Sequence, residues 1–244
     1  MQKKEEEMNY ALILSGGVGT RMKSEIPKQY INVGEHPVIY YCLNTFLRHE
    51  MIGGVIVAVA DEWKPFVETV LMDYNSNKKV AIAPSGITRQ FSIYNALKKA
   101  KECGCKDDDI IIIHDAARPM LSKELITRCL NGCMDADAVL PVVAMKDTVY
   151  HSKDGIKIDS LLDRSQLWSG QAPEAFRFGK YYKAHEEMTD EEILKICGST
   201  ELAFIAGLKC KMVEGDPMNF KITTPEDLSN FESIIKNISN DESL

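Results

Sequence analysis

Residues 14–30, LSGGVGTRMKSEIPKQY, place Gly16, Gly17 and Gly19 just ahead of Arg21 and Lys28. Bare backbone lets N–H groups approach phosphate oxygens, and fixed cations neutralise the charge that builds as phosphate bonds break. Three further segments carry matching chemistry. In SGITRQFSIYNAL (85–97), Gly86 sits in a turn whose backbone can meet a flat base edge, and Arg89 and Ser92 open the helix that follows. In IHDAARP (113–119), Asp115 emerges from an apolar run; a carboxylate beside a polyphosphate binds Mg2+ or a ribose hydroxyl. Arg118 could reach a second anion, while His114 reads as a structural residue. In EGDPMNFKITTPEDL (214–228), Asn219 and Lys221 leave a strand-like run, where a lysine makes sense if it points into an anionic cleft. With no Cys-His or Ser-His pair in these segments, the chemistry they suit is phosphoryl or nucleotidyl transfer by positioning and charge neutralisation.

Rival phosphate sites fit less well. A dinucleotide fingerprint needs a third glycine where Met22 stands and a helix where Pro27 interrupts, and a P-loop needs a Gly-Lys-Ser/Thr that is missing here.

The elements that must position these residues follow an α/β alternation. Strands are expected at 10–17, 53–60, 78–83, within 107–119 and at 137–143. Helices are expected at 37–49, from Asp61, within 84–104 up to Gly104, and at 122–134. Runs as apolar as IIII at 110–113 require helices on both faces, so the arrangement is a three-layer, mostly parallel sheet. Polar segments then converge at the carboxyl ends of the strands. Between 144 and 160 the pattern alternates around KDG, a type I′-like turn, and predicts a β-hairpin that protrudes and meets a second subunit. Residues 176–188 and 190–207 look helical, 209–215 a strand, and 224–238 a closing helix with Thr224 as N-cap and Pro225 next.

The 244 residues suit one α/β domain, and 45% apolar with 27% charged residues is ordinary for a globular chain. A net charge of −7 argues against a nucleic-acid surface, and no apolar run approaches a membrane span or a secretion signal. Seven cysteines without C-x-x-C spacing fit reduced thiols in the cytoplasm, and a structural metal is not expected from them.

Taken in order, GGVGTRM…PKQY, GITRQFSIYNAL, IHDAARP, DT, DRSQLW, QAPEAF and EGDPMNFKITTPEDL resemble the cytidylyltransferases of the 2-C-methyl-D-erythritol 4-phosphate type and their relatives that use ribitol 5-phosphate. The resemblance implies a Rossmann-like nucleotidyltransferase fold, one domain over 1–244 with a dimerisation arm at about 144–172. It implies transfer of CMP from CTP to a polyol phosphate with release of pyrophosphate, supported by Mg2+ in a homodimer. Carried over by position, Arg21, Lys28 and Lys221 would be catalytic. Ser15, Gly16, Gly17, Gly19, Gly86, Arg89, Ser92 and Asp115 would bind CTP, with Asp115 also the metal ligand. Arg118, Thr148, Arg164 and Thr200 would contact the acceptor, Thr148 and Arg164 reaching in from the partner's arm.

Two departures touch the acceptor side. The family usually carries Gln-Thr-Pro-Gln where Gln171, Ala172, Pro173 and Glu174 stand, which removes a hydroxyl. Its Thr-Asp pair upstream of the glycine matching Gly215 has no counterpart in register, leaving Thr200 or Thr189 as the equivalent. Methylerythritol phosphate is the favoured acceptor, with ribitol 5-phosphate the alternative. A non-catalytic CTP-sensing module is the reading from another class, and it would bind CTP without turnover.

Overall fold

The computed structural model describes residues 8–17, 26–72, 74 and 77–241. Its body is an eight-stranded sheet. β1 (Asn9–Leu14) lies at its centre, and two short pairing segments, β2 (Asn32–Val33) and β3 (His36–Pro37), follow it outside the sheet. Then come α1 (Val38–Leu47), β4 (Ile52–Val59), α2 (Lys64–Met72), β5 (Lys79–Pro84), α3 (Arg89–Glu102), β6 (Ile110–Asp115), α4 (Lys123–Gly132) and β7 (Ala138–Ala144). β1, β4, β5 and β6 run parallel, in the order β6, β1, β4, β5.

Alternation along each strand divides the core in two. Ala11, Ile13, Val55, Val57 and Ile112 face α1, α2 and α4, while Tyr10, Leu12, Ile56, Ile111 and Ile113 face α3 and the helices after it. Each strand is therefore apolar on both faces, as expected for a three-layer sheet.

The second half departs from simple alternation. β8 (Val149–His151) and β9 (Ser160–Leu162) pair as the hairpin expected from the sequence, standing off from the body with nearly every residue exposed. Its connection is not a two-residue I′ turn but the eight-residue loop 152–159. The Asp154 carboxylate folds that loop by accepting the N–H groups of Ile156 and Lys157, with Gly155 at φ 72°. β10 (Trp168–Gly170) and β11 (Glu174–Arg177) then return antiparallel along β7, and β11 slots between β7 and β6. The expected helix over 176–188 starts two residues later, because Phe176 and Arg177 complete β11 and α5 spans Phe178–Glu187. A continuous helix over 190–207 is also corrected. The chain breaks into α6 (Asp190–Lys195) and α7 (Ser199–Ile205), since Glu201 caps the backbone N–H groups of Cys197 and Gly198 and restarts the helix there. β12 (Cys210–Glu214) adds parallel to β7, and α8 (Pro225–Asp241) closes the chain. Thr224 Oγ1 accepts the Asp227 N–H, confirming the expected cap. Among the described residues no helix is long and apolar enough to cross a membrane.

Three histidines, His49, His114 and His185, are sealed in this core, and the last two have the most strongly lowered pKa values. His114 on β6 and His185 on α5 are fully buried, and burial pushes the pKa of each down to about 4. In the unfolded chain each titrates near pH 6.5, so between pH 6.5 and 4 unfolding takes up protons that the native state refuses. Stability is full above pH 6.5 and is lost as pH falls toward 4, by on the order of 3 kcal/mol per histidine. Urea unfolding at pH 7.5, 5.5 and 4.5 should show this decline, and replacing His185 with Gln should flatten it.

Candidate active site

The carboxyl ends of β1, β5 and β6 open into a cleft of about 410 Å³ lined by Gly16, Gly17, Lys28, Gly86, Arg89, Ser92, Asp115 and Lys221, with Gln29 and Thr223 beside them. Eight residues singled out in the sequence thus meet at the strand ends, as open α/β sheets arrange their ligands. Gly19 and Arg21 lie outside the described residues.

The glycine turn is held from behind by the PKQY segment. Gln29 Nε2 donates to the carbonyls of Ser15 (2.8 Å) and Gly17 (2.9 Å), and the buried Tyr30 hydroxyl donates to Ser15 O at 2.9 Å while accepting from Ser15 Oγ at 2.8 Å. Fixing the Ser15 and Gly17 carbonyls in this way leaves the stretch of backbone pre-set. Ser15 is a buried strut and does not line the cleft. Lys28 opens the same short 3-10 turn, so its cation is carried by the element that braces the glycines. Nothing in the residue pattern alone points to Gln29 and Tyr30 for this scaffolding role, which depends on contacts back to Ser15 and Gly17.

Gly16 and Gly86 are dictated by close approach within the protein. A Cβ on Gly16 would lie 2.4 Å from Ser85 Cβ, and one on Gly86 would lie 2.3 Å from Phe91 Cβ and 2.6 Å from its backbone carbon. A Cβ on Gly17 would meet nothing within 4 Å, so it is the glycine that faces open space. The Gly86 N–H donates to Ser92 Oγ at 2.9 Å and Ser92 Oγ donates to Thr88 O at 3.0 Å, so Ser92 shapes the turn. Thr88 caps α3.

Asp115 is the electrostatic centre. Its side chain is 11% exposed and sits 2.9 Å from Lys221 Nζ, 3.4 Å from Arg89 Nε and 3.6 Å from Arg118 Nε. Burial alone would raise its pKa, but the Arg89 and Lys221 charges overcome this and hold the carboxyl well below the usual carboxylate range. Lys221 reaches it from an extended segment that is not the strand expected. Residues 219–224 make one backbone tie to the body, Ile222 N–H to Ala117 O, and Arg118 Nη1 fixes Asn219 O at 2.8 Å, so no ladder forms. Asn219 is buried, with its Nδ2 donating to Ala172 O.

Arg89 is held on its far side by Glu174, 3.3 Å from Nη2, and by Ser199 Oγ, 2.6 Å from Nη1. Thr200 donates its N–H and hydroxyl to Glu174 Oε2, at 2.9 and 2.6 Å, while Thr189 caps α6. Thr148 and Arg164 do not reach the cleft within one chain. They share a separate hollow on the arm with Leu161, Leu162 and Asp163. Arg118 sits behind Asp115 and is absent from the cleft lining.

A mostly parallel α/β sheet whose strand ends gather a glycine turn, several cations and one buried carboxylate, with no cysteine or histidine among the described lining residues, is the arrangement of a nucleotidyltransferase. The comparisons specify which one. Residues 10–237 match the family model described as IspD, 2-C-methyl-D-erythritol 4-phosphate cytidylyltransferase, and the chain belongs to that family. It is 34% identical over 229 residues to the 2-C-methyl-D-erythritol 4-phosphate cytidylyltransferase of Clostridium beijerinckii, covering 93% of this chain and 98% of that one. The Geobacillus thermodenitrificans protein of the same name is 34% identical over 231 residues, covering 93% and 97%. The crystal structure of 4-diphosphocytidyl-2C-methyl-D-erythritol synthase from Anaerococcus prevotii superposes with a TM-score of 0.79 at 25% identity, covering 94% of this chain and 96% of that one. The Francisella tularensis 2-C-methyl-D-erythritol 4-phosphate cytidylyltransferase gives 0.76 at 28% identity, covering 92% and 99%. The chain is a cytidylyltransferase.

Proposed function

We propose that this chain transfers CMP from CTP to 2-C-methyl-D-erythritol 4-phosphate, releasing pyrophosphate and supplying isoprenoid precursor synthesis. The observation that carries this is the convergence of Gly17, Lys28, Asp115 and Lys221 in one cleft. An oxygen of the acceptor's phosphate attacks the α-phosphorus, a new P–O bond forms, and the bond to the β-phosphate oxygen breaks with its electron pair leaving on pyrophosphate. Lys28 and Lys221, joined by Arg21 in this reading, neutralise the charge that spreads over the phosphorus oxygens in the transition state. Gly86, Arg89 and Ser92 hold the cytidine end.

Mg2+ fits this donor set. It is commonly held by one or two carboxylates plus substrate phosphates, and the cleft presents the single carboxylate of Asp115 where no larger cluster of metal-ligating side chains occurs among the described residues. When bound it would polarise phosphate oxygens, with Asp115 its protein ligand. The Arg89 and Lys221 charges beside Asp115 keep its carboxylate ionised, the form in which it would ligate such an ion.

The acceptor end is completed by a second copy in this reading. Tyr150, Ile156, Ile158 and Leu161 on the arm are 56–86% exposed, a density of bare apolar surface that favours an interface. Thr148 and Arg164 on that arm would enter the partner's cleft, while in this chain Arg118 braces Asp115 and Thr200 braces Glu174 from outside the lining. The seven free cysteines suit a reducing cytoplasm.

Incubation with CTP and each polyol phosphate, followed through pyrophosphate, is expected to show turnover with methylerythritol phosphate above ribitol 5-phosphate. Lys28→Ala and Lys221→Ala should each lower kcat about 10²–10³-fold. No pyrophosphate with either acceptor refutes the assignment and leaves the CTP-sensing reading. The trans arrangement has its own check. Mixing Lys28→Ala with Arg164→Ala chains under exchange should restore about a quarter of wild-type activity, because half the dimers are mixed and one of their two clefts is intact. Activity that stays at the level of the separate variants would place Arg164 elsewhere.

A further inference from the structure

Glu174 places a second carboxylate against Arg89, and nothing in the transfer reaction described above uses it. Its setting is specific. Oε1 accepts from Arg89 Nη2 at 3.3 Å and Ser199 Oγ at 2.8 Å, and Oε2 accepts from the Thr200 N–H at 2.9 Å and hydroxyl at 2.6 Å. The side chain is 9% exposed. Both oxygens are thus pinned to the start of α7, and Glu174 cannot follow Arg89 or turn toward the cleft without breaking three other bonds.

Asp115, the other counter-ion of Arg89, is shared. It also pairs with Lys221 at 2.9 Å and Arg118 at 3.6 Å, so its 3.4 Å contact with Arg89 is one claim among three. A ligand that engages the Asp115 carboxylate draws it away from Arg89. Without Glu174, a guanidinium that also lost Asp115 would keep no carboxylate among those described here and would swing toward solvent or toward the incoming phosphates, and the nucleotide end of the cleft would lose its fixed edge.

We infer that Glu174 is a positioning residue for nucleotide binding: it is the dedicated counter-ion that keeps Arg89 in place when Asp115 turns to the bound nucleotide. Ser199 completes the device by accepting from Arg89 Nη1 at 2.6 Å while donating to Glu174. The inference rests on the reading that the cleft binds CTP. A neutral amide would serve less well here, since it offers one acceptor oxygen and no charge against donors that arrive from Arg89, Ser199 and Thr200.

Calorimetric CTP binding to the full-length protein tests it. Glu174→Gln is expected to weaken CTP binding and raise the KM for CTP about tenfold, with kcat at saturating CTP within about twofold of wild type. Ser199→Ala, which removes one link only, should weaken binding about fourfold. A Glu174 that merely glues β11 to α7 would lower the melting temperature and leave the affinity of the folded fraction unchanged. Affinities of the folded variants within about twofold of wild type, or a fall in kcat at unchanged KM, overturn the proposal. If Glu174→Gln does not fold, Ser199→Ala decides by the same criterion. Wild-type protein that binds CTP yet releases no pyrophosphate refutes the proposed reaction while leaving this comparison valid, and wild-type protein that binds no CTP refutes both.

Discussion

One buried carboxylate organises this molecule's chemistry. Asp115 collects Arg89 from α3, Arg118 from the turn after β6 and Lys221 from the segment before α8, three cations that would otherwise repel one another at the end of the sheet. Their attraction opposes the cost of burying it and holds its carboxyl below the usual range. Among the described residues of this cluster, with Glu174 as the second carboxylate, three cations face two anions and leave one excess positive charge, and Lys28 lines the same cleft. Such an arrangement is stable without ligand and still attracts a polyanion.

The backbone half of the cleft is set by a different device. Gln29 and Tyr30 hold the carbonyls of the glycine turn from behind, and Gly16 and Gly86 permit β1, β5 and the start of α3 to converge. The ligand thus meets a wall whose shape is fixed by hydrogen bonds inside the protein, with Gly17 as the open face. Preorganised backbone and fixed cations are what a phosphoryl-type transition state requires, because no covalent intermediate has to be built.

Much of this was legible in the sequence. Apolar strands such as IIII at 110–113 can be buried on both faces only in a three-layer sheet, and Asp115 ends such a strand, so its place in the cleft followed. Lys28, Arg89 and Lys221 were found because cations next to glycine turns and strand ends have few structural reasons to be there. β11 was missed since Glu174–Arg177 is four residues long and runs directly into α5, giving no turn signal between strand and helix. The strand-like FKIT run failed for the opposite reason: its alternation serves docking on Ala117 and α8, with no neighbouring strand to pair. Glu174 stood out only as a missing glutamine, since its link to Arg89 spans 85 residues and exists only in three dimensions. Thr148 and Arg164 are placed on the arm as expected, where one chain alone gives them no ligand to face.

The central claim is that the cations gathered by Asp115 surround a triphosphate. A crystal structure of the protein soaked with CTP tests it most directly. The account predicts density for the triphosphate between the Gly16–Gly17 backbone and Lys221, with Lys28 and Lys221 Nζ each within about 3 Å of a phosphate oxygen. Nucleotide bound away from the ends of β1 and β6, or Lys221 still paired with Asp115 alone and touching no phosphate, would contradict it.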